Sequence, residues 1–426
     1  MDKKIVIIGA GVAGINAATK LVDNGYPGEL ITIIDKGNDP HNRLPEEVMT
    51  GMLGAGGWSD GKLTYHTAIG GVLSKYCGEE KAMELMDQVI SNFRRFHPKP
   101  EEIFCSDPQA EPDFIKPYFG LRLFPVWHIG SNYLHEIAKT WYSYLVDKGV
   151  KFSWNTEVKD ILFNIHTIHL SDSNSEEYDE LIFAVGKSGI DFGKRLADDY
   201  QLPTEPKSVQ IGVRFEAPQK YFQKLIDVSY DFKLYQKFDN VSLRSFCTNN
   251  NAAYVAVEET YGDVSYNGHA KKGEEFRNDM TNFGILMEIK GIENPFEWSR
   301  DVVNKLQIGG TGLYYSPLRN PSKTSEHELI NTTQIFDLTT VKEVMGEYFT
   351  YVENFINDMD KIFEFGGDYG MYIPEVKYLS PEPLVDYKNL ALVDYPNVHF
   401  VGDALSARGI TVSGAQGIYV AESILR

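Results

Sequence analysis

Residues 4–14 read Lys4-Ile5-Val6-Ile7-Ile8-Gly9-Ala10-Gly11-Val12-Ala13-Gly14. The apolar run at 4–8 suits a strand buried on both faces of a parallel sheet. Glycines at 9, 11 and 14 then give the spacing GxGxxG, and Val12, Ile15, Ala18, Leu21 and Val22 recur at helical intervals. A second apolar run, 30–35, ends in Asp35. Residues 4–35 therefore read as one βαβ unit, the opening of an α/β fold with a parallel sheet.

The spacing has a physical meaning. The first glycine permits a tight turn, the second lets backbone approach a pyrophosphate, and the third allows close helix–strand packing. The helix N-terminus stabilises the phosphate charge. Asp35 follows Gly14 by roughly twenty residues, where a carboxylate can accept both ribose hydroxyls and disfavours an added 2′-phosphate.

Working outward, residues 78–97 and 131–148 have helical spacing, and 150–154, 157–163 and 179–185 read as strands. From about residue 207 the character changes. Segments 208–216, 240–247, 252–258 and 283–289 are apolar or alternating at strand length, separated by Asn, Gly and Pro clusters, as in an antiparallel sheet. Helices are predicted near 295–306 and 341–363, a last buried strand at 398–401 and a closing helix at 417–425.

Composition sets bounds. The chain has 426 residues, 42% of them hydrophobic and 24% charged, enough for a large core in two or three domains. The net charge of −19 makes nucleic acid and anionic membrane poor partners. The three cysteines, Cys77, Cys105 and Cys247, form no CxxC pair, which excludes a dithiol redox centre and a four-cysteine zinc site. Reduced thiols and no leader-like segment point to a cytoplasmic protein. The histidines show no HxxxH or HExxH pattern, and no metal is expected.

Three further segments carry a resemblance: Gly56-Gly57-Trp58-Ser59-Asp60-Gly61-Lys62-Leu63; His128-Ile129-Gly130-Ser131 with Thr156-Glu157-Val158; and residues 398–403 ending in Gly402-Asp403, followed by Arg408-Gly409-Ile410 and Gly414-Ala415-Gln416-Gly417. With the N-terminal motif they resemble the glutathione-reductase-type flavoprotein superfamily. The greatest similarity is to bacterial and archaeal FAD-dependent dehydrogenases. The resemblance implies FAD as cofactor. Gly9, Gly11, Val12, Ala13 and Gly14, with Asp35 and Lys36, would hold its adenosine-pyrophosphate end. Gly57, Ser59, Gly61, Lys62 and Leu63 would run beside the pyrophosphate and ring, with Val158 meeting the adenine through its backbone. Ala184 and Gly186 would end a strand over the nucleotide. Asp403 would bind a ribityl hydroxyl beside Gly402, and Gly409, Ile410 and Gly414 would lie at the flavin edge, where a helix N-terminus stabilises an anionic reduced ring.

Ile211-Gly212-Val213-Arg214-Phe215-Glu216 resembles a GVRxE strand opening an inserted substrate domain. Ser245-Phe246-Cys247 resembles the start of an FCMCPGG stretch, but Thr248-Asn249-Asn250-Asn251 departs from it. The expected architecture is a Rossmann-like three-layer FAD-binding domain from 1–206 and 366–426, with a mainly antiparallel substrate domain inserted at 207–365. No second nucleotide motif is evident: Gly186-Lys187-Ser188-Gly189 belongs to the first domain, and Gly309-Gly310-Thr311-Gly312 follows a polar helix.

The implied activity is hydride transfer between a small organic substrate and FAD, as dehydrogenase, oxidase or reductase. A monooxygenase, a tRNA-modifying flavoprotein and a flavin-binding protein without turnover are the alternatives. Arg214 is a candidate anion ligand for the substrate, because its fork matches a carboxylate or phosphate. His66 and His269, with His41 and His128, are candidate acid/base residues in loop contexts. The ordinary roles compete with each: a salt-bridged arginine, a hydrogen-bonded loop histidine, and for Cys247 a small core residue.

Overall fold

The computed structural model describes residues 3–44, 47–59, 61–71, 73–205, 207–260, 263–307, 312–317, 333–335, 338–378 and 381–426. Asp60 and the predicted glycine cluster at 309–311 lie outside these. The strands of the two principal sheets are, in chain order, β1 (Ile5–Ile8), β2 (Ile31–Ile34), β3 (Gly120–Leu123), β4 (Lys151–Ser153), β5 (Glu180–Phe183), β6 (Val209–Pro218), β7 (Phe232–Lys237) and β8 (Val241–Asn251), then β9 (Ala253–Thr260) and β10 (Asp263–Ala270), which form a separate hairpin, and β11 (Met280–Ile289), β12 (Gly312–Tyr315), β13 (Thr333–Ile335), β14 (Gly370–Lys377) and β15 (Val398–Phe400). The helices that matter are α1 (Val12–Asp23), α2 (Glu79–Phe96), α3 (Leu134–Asp147), α4 (Ile190–Asp199), α5 (Gln219–Ile226), α6 (Glu347–Phe363) and α7 (Ile410–Ile424).

The chain divides into two compact units. The first comprises Met1–Phe104, Trp127–Lys207 and Ser380–Arg426; the second comprises Cys105–Val126 and Ser208–Leu379. The predicted boundary at 207 lies within one residue of the observed one, whereas the boundary at 365 and the single-segment insertion need correction. The second unit also takes 105–126, because β3 pairs with β7 along Phe232↔Leu123 to Tyr235↔Gly120. It extends past 365 because β14 pairs with β6 from Gln210↔Lys377 to Glu216↔Gly370.

In the first unit, five parallel strands run in the order β15-β5-β1-β2-β4. Every residue of β1, β2 and β5 is buried, which explains why these strands read as unbroken apolar runs. β1 pairs with β2 on one side and β5 on the other, so the chain reverses direction across the sheet at β1. Ligands of such sheets collect at that switch point, outside the strands' C-terminal ends. Helix α1 rests on α7: an added Cβ on Gly417 would lie 2.0 Å from the Ala13 carbonyl oxygen. Trp141 of α3 donates its indole N–H to Thr19 Oγ1 of α1 at 2.7 Å, closing the polar gap between those helices.

In the second unit, an eight-stranded sheet runs β13-β12-β14-β6-β11-β8-β7-β3, antiparallel except for β12–β13. Alternation along β6 sorts its side chains. Phe215 stacks on Phe283 of β11 (5.2 Å) and meets Phe222 of α5, which contacts Phe363 of α6. Arg214 and Glu216 point to the other face, which is polar yet buried, because the β9–β10 hairpin covers it. The predicted helix at 341–363 is two helices, since Gly346 at φ +54° breaks the path between Met345 and Glu347. Among the described residues, no helix is long and apolar enough to cross a membrane.

Candidate functional site

The three glycines of the βαβ turn divide into two kinds. Gly9 sits at φ +105°, and a Cβ there would lie 2.3 Å from the Ala184 carbonyl oxygen. A Cβ on Gly14 would lie 2.3 Å from the Gly9 carbonyl oxygen and 2.9 Å from Ile7 Cγ2. Both are glycine because the protein itself occupies the space. Gly11 is different: its backbone is ordinary at φ −68° and ψ 176°, and the atom nearest an added Cβ is the Ala184 oxygen, 3.9 Å away. The opening of α1 is thus left clear above Gly11. The N–H groups of its first turn, at Val12, Ala13 and Gly14, have no carbonyl one turn back, and the first intrahelical bond runs from Ile15 N–H to Gly11 at 3.0 Å.

Asp35 is buried and already engaged. Its Oδ2 accepts the Ala10 N–H, and its Oδ1 accepts those of Gly37 and Gly51, each at 2.8 Å. A carboxylate offers about four lone-pair directions, so one remains. The expectation that Asp35 takes both ribose hydroxyls is corrected: it can take one, and its main task is to tie three loops together. Lys36 is exposed, with Nζ 3.4 Å from the Ser188 carbonyl.

A residue not singled out in the sequence organises the loop beyond. Arg43 donates from Nη1 to Met52 (2.6 Å), from Nη2 to Val48 and Gly54 (3.2 and 2.9 Å), and from Nε and Nη2 to Glu47, all backbone carbonyls. Burial pulls its guanidinium down to about 10, against the opposing pull of Asp35 and Glu47. The loop it shapes reaches back to the turn, where Leu53 N–H donates to the Ala10 carbonyl at 2.8 Å. Gly57 is glycine to make room for Arg43, whose Nη1 would lie 2.7 Å from an added Cβ. Ser59 Oγ donates to Gly56 and accepts from Gly61 N–H, closing the next turn. Gly61, at φ +67°, packs on the Gly130 backbone, and Lys62 and Leu63 are buried beyond it.

This segment leads to His66, which is half-buried. Its Nδ1 accepts the Ala68 N–H at 3.0 Å, so a neutral ring carries its proton on Nε2. The loop is then stitched to the start of α7, where Arg408 N–H donates to the Gly70 carbonyl. At that helix end Gly409, at φ +113°, has no atom within 4 Å of an added Cβ. Ile410 opens the helix, and Thr411 is 2% exposed with its hydroxyl unpartnered among the described residues. Gly414 faces another way: a Cβ there would lie 2.9 Å from Asn16 Nδ2 and from Val89 Cγ2. Its missing side chain thus serves helix packing against α1 and α2.

Gly402 turns at φ +70° beside Ala13, and its N–H donates to Gln416 Oε1 at 2.8 Å. Asp403 pairs with Arg408 at 3.1 Å and stays about one-quarter exposed, with 23% of its side chain open. Gly186, at φ +62°, is open on its side-chain side, and Ala184 presents its carbonyl to Gly9. Val158 starts the strand Val158–Leu162 and sits opposite Leu170.

The remaining candidates fall in the second unit. Arg214 is wholly buried and its fork is occupied. It pairs with Glu375 (3.3 Å) and donates to Asn282 Oδ1 (3.1 Å) and to the Cys247 carbonyl (3.0 Å). A Cβ on Gly268 would collide with its Nη2, so the hairpin closes over it. The expected substrate-anion role is corrected to an internal ion pair. Cys247 lies at φ +56° where the pairing of β8 with β11 slips, which turns its carbonyl toward Arg214. His269 is half-buried on β10 opposite Tyr254.

No protein-family model matches the chain, and no curated protein matches it. Solved structures resemble it distantly. A variant of the halogenase PltM in complex with FAD is 13% identical with a TM-score of 0.43, over 100% of this chain and 68% of that one. A flavoprotein/dehydrogenase from Cytophaga hutchinsonii is 13% identical with a TM-score of 0.42, over 99% and 78%. The flavin-dependent halogenase CmlS is 13% identical with a TM-score of 0.44, over 100% of this chain and 58% of that one. Likeness of this degree carries no argument about this chain's chemistry.

Proposed function

We propose that the chain is an FAD-dependent oxidoreductase that moves a hydride between a small organic substrate and the flavin. The observation that carries the reading is a pair of open helix N-termini in the first unit. α1 begins at Gly11 and α7 at Gly409, each with clear space where a side chain would stand, and the buried Thr411 hydroxyl beside Gly409 lacks a partner among the described residues. A dinucleotide with a central pyrophosphate and a polar ring edge fits these features: the donors of α1 answer the phosphate charge, and Thr411 with the first turn of α7 answers an acceptor.

The flavin supplies two-electron hydride chemistry when bound. The chain's own residues do the rest. The first-turn N–H groups of α1 bind and orient the pyrophosphate. Asp35 keeps the 37–54 loop in shape and offers its last lone pair to one ribose hydroxyl. Asp403, held by Arg408, is the acceptor for a further hydroxyl. His66, with Nδ1 occupied by the Ala68 amide, holds its proton at Nε2 and in this arrangement serves as a proton donor. The buried Arg214–Glu375 pair stabilises the second unit and leaves the choice of substrate to other groups.

Thr411→Val tests the reading, because valine matches threonine in shape and loses only the hydroxyl. A neutral hydrogen bond contributes about 0.5–1.5 kcal/mol, so FAD affinity is expected to fall roughly two- to tenfold, with a shifted visible spectrum. Unchanged affinity and spectrum would contradict it.

A further inference from the structure

We infer that Arg244 and Arg122, on the polar face of the second unit's sheet, bind an anionic group of the substrate, a carboxylate or a phosphate; the inference rests on the flavoenzyme reading above. Residues directly opposite each other in an antiparallel sheet share a face. Arg244 of β8 lies opposite Tyr235 of β7 and Leu286 of β11, and Leu286 lies opposite Gly212 of β6. Gly212 and Arg214 alternate onto one face of β6, so Arg244 shares the polar face with Arg214. Arg122 of β3 lies opposite Lys233, two residues before Tyr235 on β7, and joins the same face. Burial changes along this face. Arg214, Asn249 and Asn282 are wholly buried under the β9–β10 hairpin, whereas Tyr235, Arg244 and Phe246 are half-buried and Arg122 is exposed. The side of the sheet toward β3 is therefore open to a ligand.

The cations of this face are answered unequally. Arg214 has Glu375, and Lys233 has Asp231 at 3.3 Å. Lys377 lies 3.7 Å from the same Glu375. Arg244 has only an amide, with Nη2 donating to Gln210 Oε1 at 3.0 Å, and neither it nor Arg122 forms an ion pair among the described residues. Glu288, on the same face of β11, accepts the Ser208 hydroxyl at 2.7 Å instead. Burial holds the Arg244 guanidinium below its ordinary 12.5; Glu288 opposes the shift and the like charge of Arg122 adds to it. Arginine does not lose its proton in proteins, so two unanswered guanidinium groups gather on one face of a chain whose net charge is −19. An oxyanion relieves their repulsion and matches the planar fork at two points. Aromatic rings flank them. Phe246 has Lys233 and Lys377 at 5.1 and 5.2 Å from its centre, and the Tyr235 ring leans over Gly120, where an added Cβ would lie 2.2 Å from it. These rings offer a wall to the organic part of an anionic substrate.

Titration calorimetry of the full-length protein with benzoate and with phenyl phosphate tests the inference, and the tighter of the two names the anion. Arg244→Gln removes the charge and the fork, and affinity is expected to fall roughly ten- to hundredfold. Arg122→Gln should weaken binding less, and Arg244→Lys, which keeps the charge and loses the fork, should restore part of what Arg244→Gln removes. The unfolding temperature of Arg244→Gln should not fall, because no ion pair is lost. Binding of neither anion overturns the inference, as does binding that Arg244→Gln leaves unmoved. A lower unfolding temperature accompanying the loss of binding overturns it too, since the arginine would then hold the sheet. FAD titration of the same samples judges the reading beneath. A protein that binds anions through Arg244 and takes no FAD keeps the anion site and loses the flavoenzyme reading; one that takes FAD and no anion loses this inference alone.

Discussion

Gly11→Ala and Gly14→Ala place the same methyl group in the same motif, and opposite consequences are expected. At Gly14 the new Cβ would lie 2.3 Å from the Gly9 carbonyl oxygen, a backbone atom that cannot swing aside. Overpacking of this kind costs about 1–3 kcal/mol, and the better helix propensity of alanine returns about 1 kcal/mol. The net loss of up to about 2 kcal/mol corresponds to a Tm lower by up to about 8 °C for a unit of this size. At Gly11 the nearest protein atom is 3.9 Å away and φ is −68°, so alanine fits. Its poorer helix capping costs under about 1 kcal/mol. If the pyrophosphate crosses above Gly11, the methyl stands in its path, and FAD affinity should fall at least tenfold, about 1.4 kcal/mol. Thermal unfolding of the flavin-free proteins and titration of FAD by fluorescence quenching separate the two effects. Gly11→Ala binding FAD as tightly as the unsubstituted protein would refute the reasoning.

Three other perturbations follow from single contacts. Asp35→Ala removes three hydrogen bonds to a charged acceptor, each worth about 1.5–3 kcal/mol. Hydrogen exchange at Gly37 and Gly51 should then accelerate, and unchanged protection there would mean that the loops hold without it. Glu375→Gln leaves Arg214 buried without its counter-charge, a loss of about 3–5 kcal/mol in denaturant unfolding. The double variant Arg214→Met/Glu375→Gln should recover part of it, and a double variant weaker than the single would be contrary. Burial would raise the Glu180 carboxyl, but hydrogen bonds from His399 and Lys3 outweigh it and hold the group below its ordinary 4.5. A depressed acid stabilises the fold above its unfolded value and loses that contribution as pH falls through the folded one. Glu180→Gln should therefore flatten the acid limb of stability below pH 4.5, and an identical limb would dismiss the pair.

The first βαβ unit was legible in the sequence because its signals are local. Buried parallel strands must be apolar throughout, and glycine spacing reports turns directly. β6, β8, β9 and β11 were legible for the same reason, since alternation survives wherever one face meets a core. What stayed hidden depends on distant partners. Nothing near Arg214 indicates that Glu375, 161 residues away, occupies its fork. The motif reading of Asp35 could not reveal that Gly37 and Gly51 use its oxygens first. Gly414 and Gly11 look alike as glycines of a motif, yet one faces Val89 and the other faces open space. Arg43 gave no signal because its partners are backbone carbonyls, which no residue type announces. Thr411 could have been found, as a hydroxyl one residue into a helix that opens on glycine.

The central claim is that both ends of the chain grip one FAD. It is tested most directly by releasing and quantifying flavin from the purified protein, then titrating the flavin-free protein with FAD and with FMN. A yellow protein holding FAD is expected, with FMN bound far more weakly because it lacks the adenosine half that α1 and Asp35 address. A colourless protein that quenches the fluorescence of neither flavin would contradict it.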